Sequence, residues 1–191
     1  MDQTINKQII ISGVGGQGVL FVTRLLAEAA INKGLAVFTS ETHGMAQRGG
    51  TVLSHLKVGD YSSPLIRPAQ ADGVLALRAE NLTQHGAFLK DGGWVIVNSE
   101  NDAKNDNSMQ VDAIDADRLA QEIGNPKAVN LIVLGFALAM AAKKGENRNA
   151  LFCSLTEIKA VLEGRFGKKK EMLKASLKAL ETGYNFQDKE K

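Results

Sequence analysis

The 191-residue chain has one cysteine, Cys153. One thiol cannot close an internal disulfide, and it falls short of the roughly four thiolates that hold an iron–sulfur cluster. Cys153 therefore reads as a small buried apolar residue near a helix start rather than as a reactive thiol. None of the three histidines, His43, His55 and His85, has another ligand type at i, i+4, so a structural zinc site has no support. Aromatic residues make up 5% of the chain, with a single tryptophan, Trp94. That is too few for base-stacking platforms. The formal net charge of +2 is too small to argue for a nucleic-acid or membrane-surface partner. The longest apolar stretch, Leu131 to Ala142, is too short to span a bilayer. The segment Met1-Asp2-Gln3-Thr4-Ile5-Asn6 has no apolar signal region, so a cytoplasmic location is the expectation. There is no internal repeat and no low-complexity segment.

The length suits one well-buried domain over 1–191, with an α/β core at about 7–145 and a helical part at about 146–185. Lys7 to Ser12 reads as a strand buried on both faces. It runs into Gly13-Val14-Gly15-Gly16-Gln17-Gly18, a glycine cluster that opens a helix from Gly18 to Asn32. Gly34 follows as a stop. Leu35 to Thr39 is a second strand, which makes a βαβ unit with parallel, neighbouring strands. Ser40 to Gly50 reads as a polar loop. Thr51 to Val58 alternates, with Val52, Ser54, Leu56 and Val58 on one face. Further strands are expected at Gly73 to Leu77, Trp94 to Val97 and Met109 to Ile114. A turn is expected at Asp91-Gly92-Gly93. Helices are expected at about Ala79 to Leu89, Asp117 to Ile123, Leu131 to Ala142, from a Ser154–Glu157 capping box onward, and from Lys168 to a stop at Gly183. Leu131 to Ala142 is apolar nearly all round and should be buried, either as a core helix or partly in a subunit contact. Lysines 168, 169, 170, 174 and 178 read as a solvated helix face balanced by Glu163, Glu171 and Glu181. The fold class is α/β: an open, mostly parallel Rossmann-like sheet with helical C-terminal additions.

Two stretches carry candidate chemistry. Glycines 13, 15 and 18 have the G-x-G-x-x-G spacing. The first allows a tight turn, the second a close approach of backbone to phosphate, and the third close packing of helix on sheet. Backbone N–H groups at the helix start would face an anion. For NAD, an acidic residue at the end of the second strand would hold the ribose, and Glu41 stands near that place. The second stretch is Glu41-Thr42-His43-Gly44-Met45-Ala46-Gln47-Arg48-Gly49-Gly50. It should meet the glycine turn at one sheet edge. Arg48 either presents a guanidinium to a phosphate or carboxylate, or ties down its own loop. His43 reads as a local hydrogen-bonding histidine rather than a proton carrier.

These two stretches, with Ser63-Pro64 and Ala71-Asp72, resemble the gamma-type subunit or domain of 2-oxoacid:ferredoxin oxidoreductases. The fuller string Gly44-Met45-Ala46-Gln47-Arg48-Gly49-Gly50, with Gly124-Asn125 and with Asn130 ahead of Leu134-Gly135, is similar to the small beta subunit of the indolepyruvate type. Ser176 stands where that type has an asparagine. The resemblance implies a thiamine-diphosphate enzyme that decarboxylates a 2-oxoacid. Electrons pass through iron–sulfur clusters to ferredoxin, and coenzyme A takes the acyl group. It implies that thiamine and clusters reside in a large partner subunit and that this chain binds none of them alone. On that footing Gly13, Gly15, Gly16, Gln17, Gly18, Glu41, Arg48, Gly49 and Gly50 would form a wall of the coenzyme A site. Two competing readings remain: a self-contained NAD-dependent oxidoreductase, and a structural subunit in which the glycine loop is only packing.

Overall fold

The computed structural model describes residues 5–43, 50–101, 110–143 and 151–186. Arg48 and Gly49, most of the loop after Ser99 and the lysine-flanked stretch after Lys143 lie outside them. The chain begins with β1 (Lys7–Val14), α1 (Val19–Asn32), β2 (Val37–His43), β3 (Thr51–Val58) and β4 (Ala71–Ala76). It continues with α2 (Ala79–His85), β5 (Leu89–Asn98), β6 (Gln110–Ile114) and α3 (Ala116–Glu122). It closes with α4 (Val129–Lys143), α5 (Leu155–Phe166) and α6 (Lys170–Tyr184). The strands form one sheet in the order β2-β3-β1-β4-β5-β6. β1, β4, β5 and β6 pair in parallel, while β3 is antiparallel to both β1 and β2. The fold class is thus the expected α/β with a mostly parallel sheet.

β1 and β2 point the same way, but they are not neighbours. β3 lies between them, and its Val58 stands opposite both Lys7 and Val37. A βαβ pattern fixes direction and hand, not adjacency, so a hairpin return can fill the gap. β2 also runs on to His43, through residues expected in a loop. β3 is buried along both faces rather than on one. It is an interior strand, and its alternation merely divides Val52 and Leu56 from Leu53. The expected turn at Asp91-Gly92-Gly93 is an irregularity inside β5. The pairing with β4 jumps there from Ala71↔Leu89 to Gly73↔Trp94, and Gly92 has φ +70°. α2 ends at His85, and a 3₁₀ turn, Gly86–Phe88, carries the chain into β5.

Side chains of β1 alternate as the pleat requires. Ile9 and Ile11 join the larger core with α1, α3, α4, α5 and α6. Ile10 joins a smaller core on the opposite face, which Leu82 of α2 and Phe88 cover. α4 sits within the larger core, and Val129 through Ala139 are all buried by the chain itself. Its apolar character is accounted for by the core, the first of the two expected readings. With the preceding turn it makes 18 residues, Pro126–Lys143, of mean hydropathy 1.4. That reaches the lower limit for crossing a bilayer, but the segment serves here as a core helix.

α6 lies along α4 at unusually close range. A Cβ on Gly135 would stand 2.0 Å from the Leu180 carbonyl oxygen, and one on Gly183 would stand 1.9 Å from that of Ile132. Gly183 is therefore not a helix stop. It is a contact point inside α6, which continues to Tyr184. The Ser154–Glu157 capping box forms as expected.

Candidate functional site

The carboxyl ends of β1, β2 and β4 lie along one edge of the sheet. In open α/β sheets this edge lines the ligand crevice. Helices leave it toward opposite faces, α1 to the larger core and α2 to the smaller. The glycine turn between β1 and α1 therefore sits where the winding of the sheet switches.

The turn is closed by its own atoms. Gln17 donates its backbone N–H to the Val14 carbonyl (3.1 Å), and its side-chain Oε1 accepts from Val14 N–H (2.9 Å). Gln17 thus shapes the loop from within. The glycines divide their work differently from the textual fingerprint. Gly13 still belongs to β1, and a Cβ there would meet Val19 Cγ2 at 2.8 Å and Leu77 Cβ at 3.3 Å. Gly18 caps α1 in the left-handed region (φ +83°), and a Cβ there would stand 2.0 Å from Asn130 Nδ2. Asn130 is itself buried, and its Oδ1 accepts from Leu131 N–H. Gly16 is different. It needs positive φ (+92°), yet a Cβ there would touch nothing within 4 Å. Gly16 faces open space.

The first turn of α1 carries no capping side chain and no acid. Its first intrahelical bond runs from Val22 N–H to the Gly18 carbonyl. The N–H groups ahead of it are the unsatisfied donors of a helix start, and they favour a negative charge. The glycine turn and this first turn border a cleft of about 440 Å³, lined by Gly15, Gly16 and Gly18, by Phe21 and Arg24 of α1, and by Arg165 of α5. Arg165 pairs with Glu28 and lies over the Phe21 ring, with its guanidinium carbon 5.7 Å from the centroid. Sequence reasoning missed both arginines. Their only signal is that each is a cation on an amphipathic helix, and the fold alone brings α1 and α5 together.

The structure joins the two sequence motifs at one point: Gly15 donates its N–H to the Gly50 carbonyl at 3.0 Å. Gly50, the residue just before β3, is thereby fastened to the glycine turn. Glu41 is not brought to it. It pairs across β2 with Ser54, which pairs with Ile11 of β1. That puts Glu41 two strand spacings, roughly 9–10 Å, to the side and three residues short of the β1 end. In the dinucleotide pattern the acid ends the strand next to β1, and here that place belongs to β3.

On the α2 side, Ser12 Oγ and His85 Nδ1 are hydrogen-bonded at 2.6 Å, and Asn81 Nδ2 reaches the Gly13 carbonyl at 3.5 Å. Ser12 is fully buried, so the pair fastens β1 to α2 and offers no accessible nucleophile. His55 Nδ1 accepts from Ile66 N–H at 3.2 Å. Burial holds both histidines below their ordinary pKa, with nearby Lys57 adding to the effect on His55. Among the described residues no group of three or more His, Cys, Asp or Glu side chains could hold a metal ion.

Residues 8–186 match the pyruvate ferredoxin/flavodoxin oxidoreductase family. The chain belongs to this family. It is similar to the indolepyruvate oxidoreductase subunit IorB of Archaeoglobus fulgidus, at 30% identity over 93% of both chains. It also resembles the gamma subunit of keto/oxoacid ferredoxin oxidoreductase from Geobacter sulfurreducens. That structure has a TM-score of 0.72 and 25% identity, over 93% of this chain and 96% of that one. The 2-oxoglutarate:ferredoxin oxidoreductase of Magnetococcus marinus, solved with 2-oxoglutarate, coenzyme A and succinyl-CoA bound, shares the fold. Its TM-score is 0.74 at 24% identity, and 95% of this chain corresponds to 31% of that longer one. The chain is a gamma-type small subunit of a 2-oxoacid:ferredoxin oxidoreductase.

Proposed function

We propose that this subunit forms one wall of the coenzyme A site of an indolepyruvate-type 2-oxoacid:ferredoxin oxidoreductase. The observation that carries the reading is the uncapped start of α1, open to a cleft with two arginines. Free N–H groups at a helix start stabilise phosphate without any side-chain charge, and arginine adds bidentate contacts. The Archaeoglobus relative supports the indolepyruvate substrate, and the Magnetococcus neighbour supports coenzyme A as ligand. A large partner subunit would carry thiamine diphosphate and the iron–sulfur clusters and pass electrons to ferredoxin. The single cysteine of this chain fits that division. Arg48 and Gly49, which lie outside the described residues, would complete the phosphate contacts.

One observation favours the purely structural reading of the loop. Gly13 and Gly18 are both explained by packing. Gly16 separates the two readings, because it borders the cleft and a Cβ there meets no protein atom within 4 Å. Asparagine tolerates positive φ better than other substitutes. In the complex isolated with its partner subunits, Gly16→Asn should raise the KM for coenzyme A about tenfold or more. Iron and thiamine content should stay unchanged. Unaltered coenzyme A kinetics would leave the loop a packing element only. Turnover of indolepyruvate against ketoisovalerate and 2-oxoglutarate by the same complex tests the substrate, and preference for either of the others would overturn the indolepyruvate assignment.

A further inference from the structure

Lys57 is a charge that the fold buries without a counter-charge. It stands on β3 between Phe38 of β2 and Gln8 of β1, at the end of the sheet away from the glycine turn. The residue is 7% exposed, and its ammonium lies over the Tyr61 ring, 5.0 Å from the centroid. Burial, and then the charge of Arg67, hold its pKa below the ordinary lysine value. Asp72, whose charge reaches Tyr61, is already taken by Lys90 and by the Gln8 N–H. Among the described residues no acid pairs with Lys57 or with the exposed Arg67. A buried lysine is ordinarily paired, and here an aromatic face stands in for half of that partnership.

The cover of the sheet thins beside this group. On the face that holds Lys57, α2 packs against β1, β4 and β5. Toward β2, among the described residues, the cover is the segment between β3 and β4. Buried Ile66 anchors that segment through its N–H bond to His55 Nδ1, and Pro64 keeps Ser63 out of helical backbone. Leu65 is left 53% exposed and Phe38 37% exposed. Phe38 shares the sheet face of Lys57, because it stands opposite Lys57 across the β2–β3 pair. Two apolar side chains thus accompany two cations on one face, and β2 beyond them is an edge strand. Long edges with exposed apolar residues are normally covered.

We propose that Phe38, Leu65, Lys57 and Arg67 form a docking face for an acidic segment of the large partner subunit. One carboxylate of that segment is shared by Lys57 and Arg67, and its apolar neighbours rest on Phe38 and Leu65. An isologous contact with a second copy would bring the same two cations again and no new counter-charge, so the charge selects a different chain. The face lies at the opposite end of the sheet from the glycine turn and leaves the cleft open. The proposal rests on the reading of this chain as one subunit of a larger complex.

The test uses the complex purified with its large subunit and diluted until half of it dissociates. Arg67 makes no bond within the described chain, so replacing it tests the contact rather than the fold. Arg67→Glu should raise the dissociation constant about tenfold or more, since a like charge would meet the partner's carboxylate. Lys174→Glu, an equal change of charge at an exposed site on α6, should leave it unaltered. Arg67→Lys should assemble normally, and a carbodiimide should then join position 67 to an Asp or Glu of the large subunit. Assembly indifferent to Arg67→Glu, an equal loss with Lys174→Glu, or joining of position 67 to a second copy instead of the large subunit overturns the docking face. Failure of the unaltered chain to co-purify with a large subunit would instead remove the subunit reading itself, and the proposal with it.

Discussion

Cys153 is the residue whose chemistry the fold most plainly silences. It lies just ahead of α5, 7% exposed, beneath a clasp made by Lys33. The Lys33 ammonium donates to the Phe152 carbonyl at 2.8 Å and pairs with Glu157 at 3.1 Å. Burial, with a smaller push from the Glu157 carboxylate, raises the thiol pKa to about 12. At pH 8 the thiolate fraction is then on the order of 10⁻⁴, and the thiolate is the reactive form. The native chain should not react with an aromatic disulfide reagent at pH 8 over an hour, and one thiol should appear on adding denaturant. A full equivalent released within minutes from the native chain would contradict this burial. The sequence already favoured an inert cysteine, because a free cysteine is most often a small buried apolar residue. The clasp was not legible, since Lys33 reaches Phe152 and Glu157 only once α1 has packed on α5.

At the scale of elements, the start signals were readable where a local rule decides the outcome. Gly34 ends α1 with φ +74°. Ser154 and Glu157 exchange both bonds of a capping box, with Glu157 Oε2 accepting from Ser154 N–H at 2.7 Å and Ser154 Oγ accepting from Glu157 N–H at 3.3 Å. Gly183 was misread because a glycine near a helix end fits either a stop or a close crossing, and only the neighbour across the interface tells them apart. That neighbour makes a paired prediction possible. Alanine is favoured over glycine in a helix by up to about 1 kcal/mol. At exposed Gly164 in α5, where a Cβ meets nothing within 4 Å, Gly164→Ala should follow that rule and raise Tm by about 2–4 °C. At Gly183 the same methyl would strike the Ile132 backbone, which cannot rotate away. Overpacking costs about 1–3 kcal/mol or more, so the clash outweighs the helical gain. Gly183→Ala should lower Tm by several degrees, on the order of 4–8 °C for a net 2 kcal/mol. Thermal melts of the two variants against the unaltered chain check both signs, and a stabilised Gly183→Ala would mean that α4 and α6 stand farther apart.

Over the whole molecule, sequence pattern gave the class of fold and the place of the glycine turn, but not the order of strands. Nothing local in Thr51 to Val58 says that it slips between β1 and β2. That insertion sets Glu41 two strands away from β1, while the packing of α5 on α1 brings Arg165 to the cleft. The same insertion also buries His55, and this gives the chain an acid-sensitive stability. His55 Nδ1 accepts from Ile66 N–H, so protonation at Nδ1 would break a buried bond. Phe88 packs edge-on against its ring at 5.5 Å. His85, whose ring lies 6.5 Å from that of Phe88, is held to Ser12. Both histidines titrate below their ordinary value in the folded chain, so on acidification the unfolded chain takes up their protons first. Their contribution is therefore complete above about pH 6.5 and is lost as pH falls through the depressed folded values. Each proton steepens the loss by up to about 1.4 kcal/mol per pH unit. Glu157 behaves in the same sense but lower on the scale. Hydrogen bonds from Ser154 and Lys33 outweigh its own desolvation and hold its pKa below the usual carboxylate value. Denaturant melts of the full chain should show a plateau at pH 7–8, then a decline between pH 6.5 and 5 before carboxylates begin to titrate. His85→Gln should make that decline shallower while leaving the steeper fall below pH 4.5 in place. A flat profile from pH 7.5 to 5 would show that neither imidazole resists protonation in the fold.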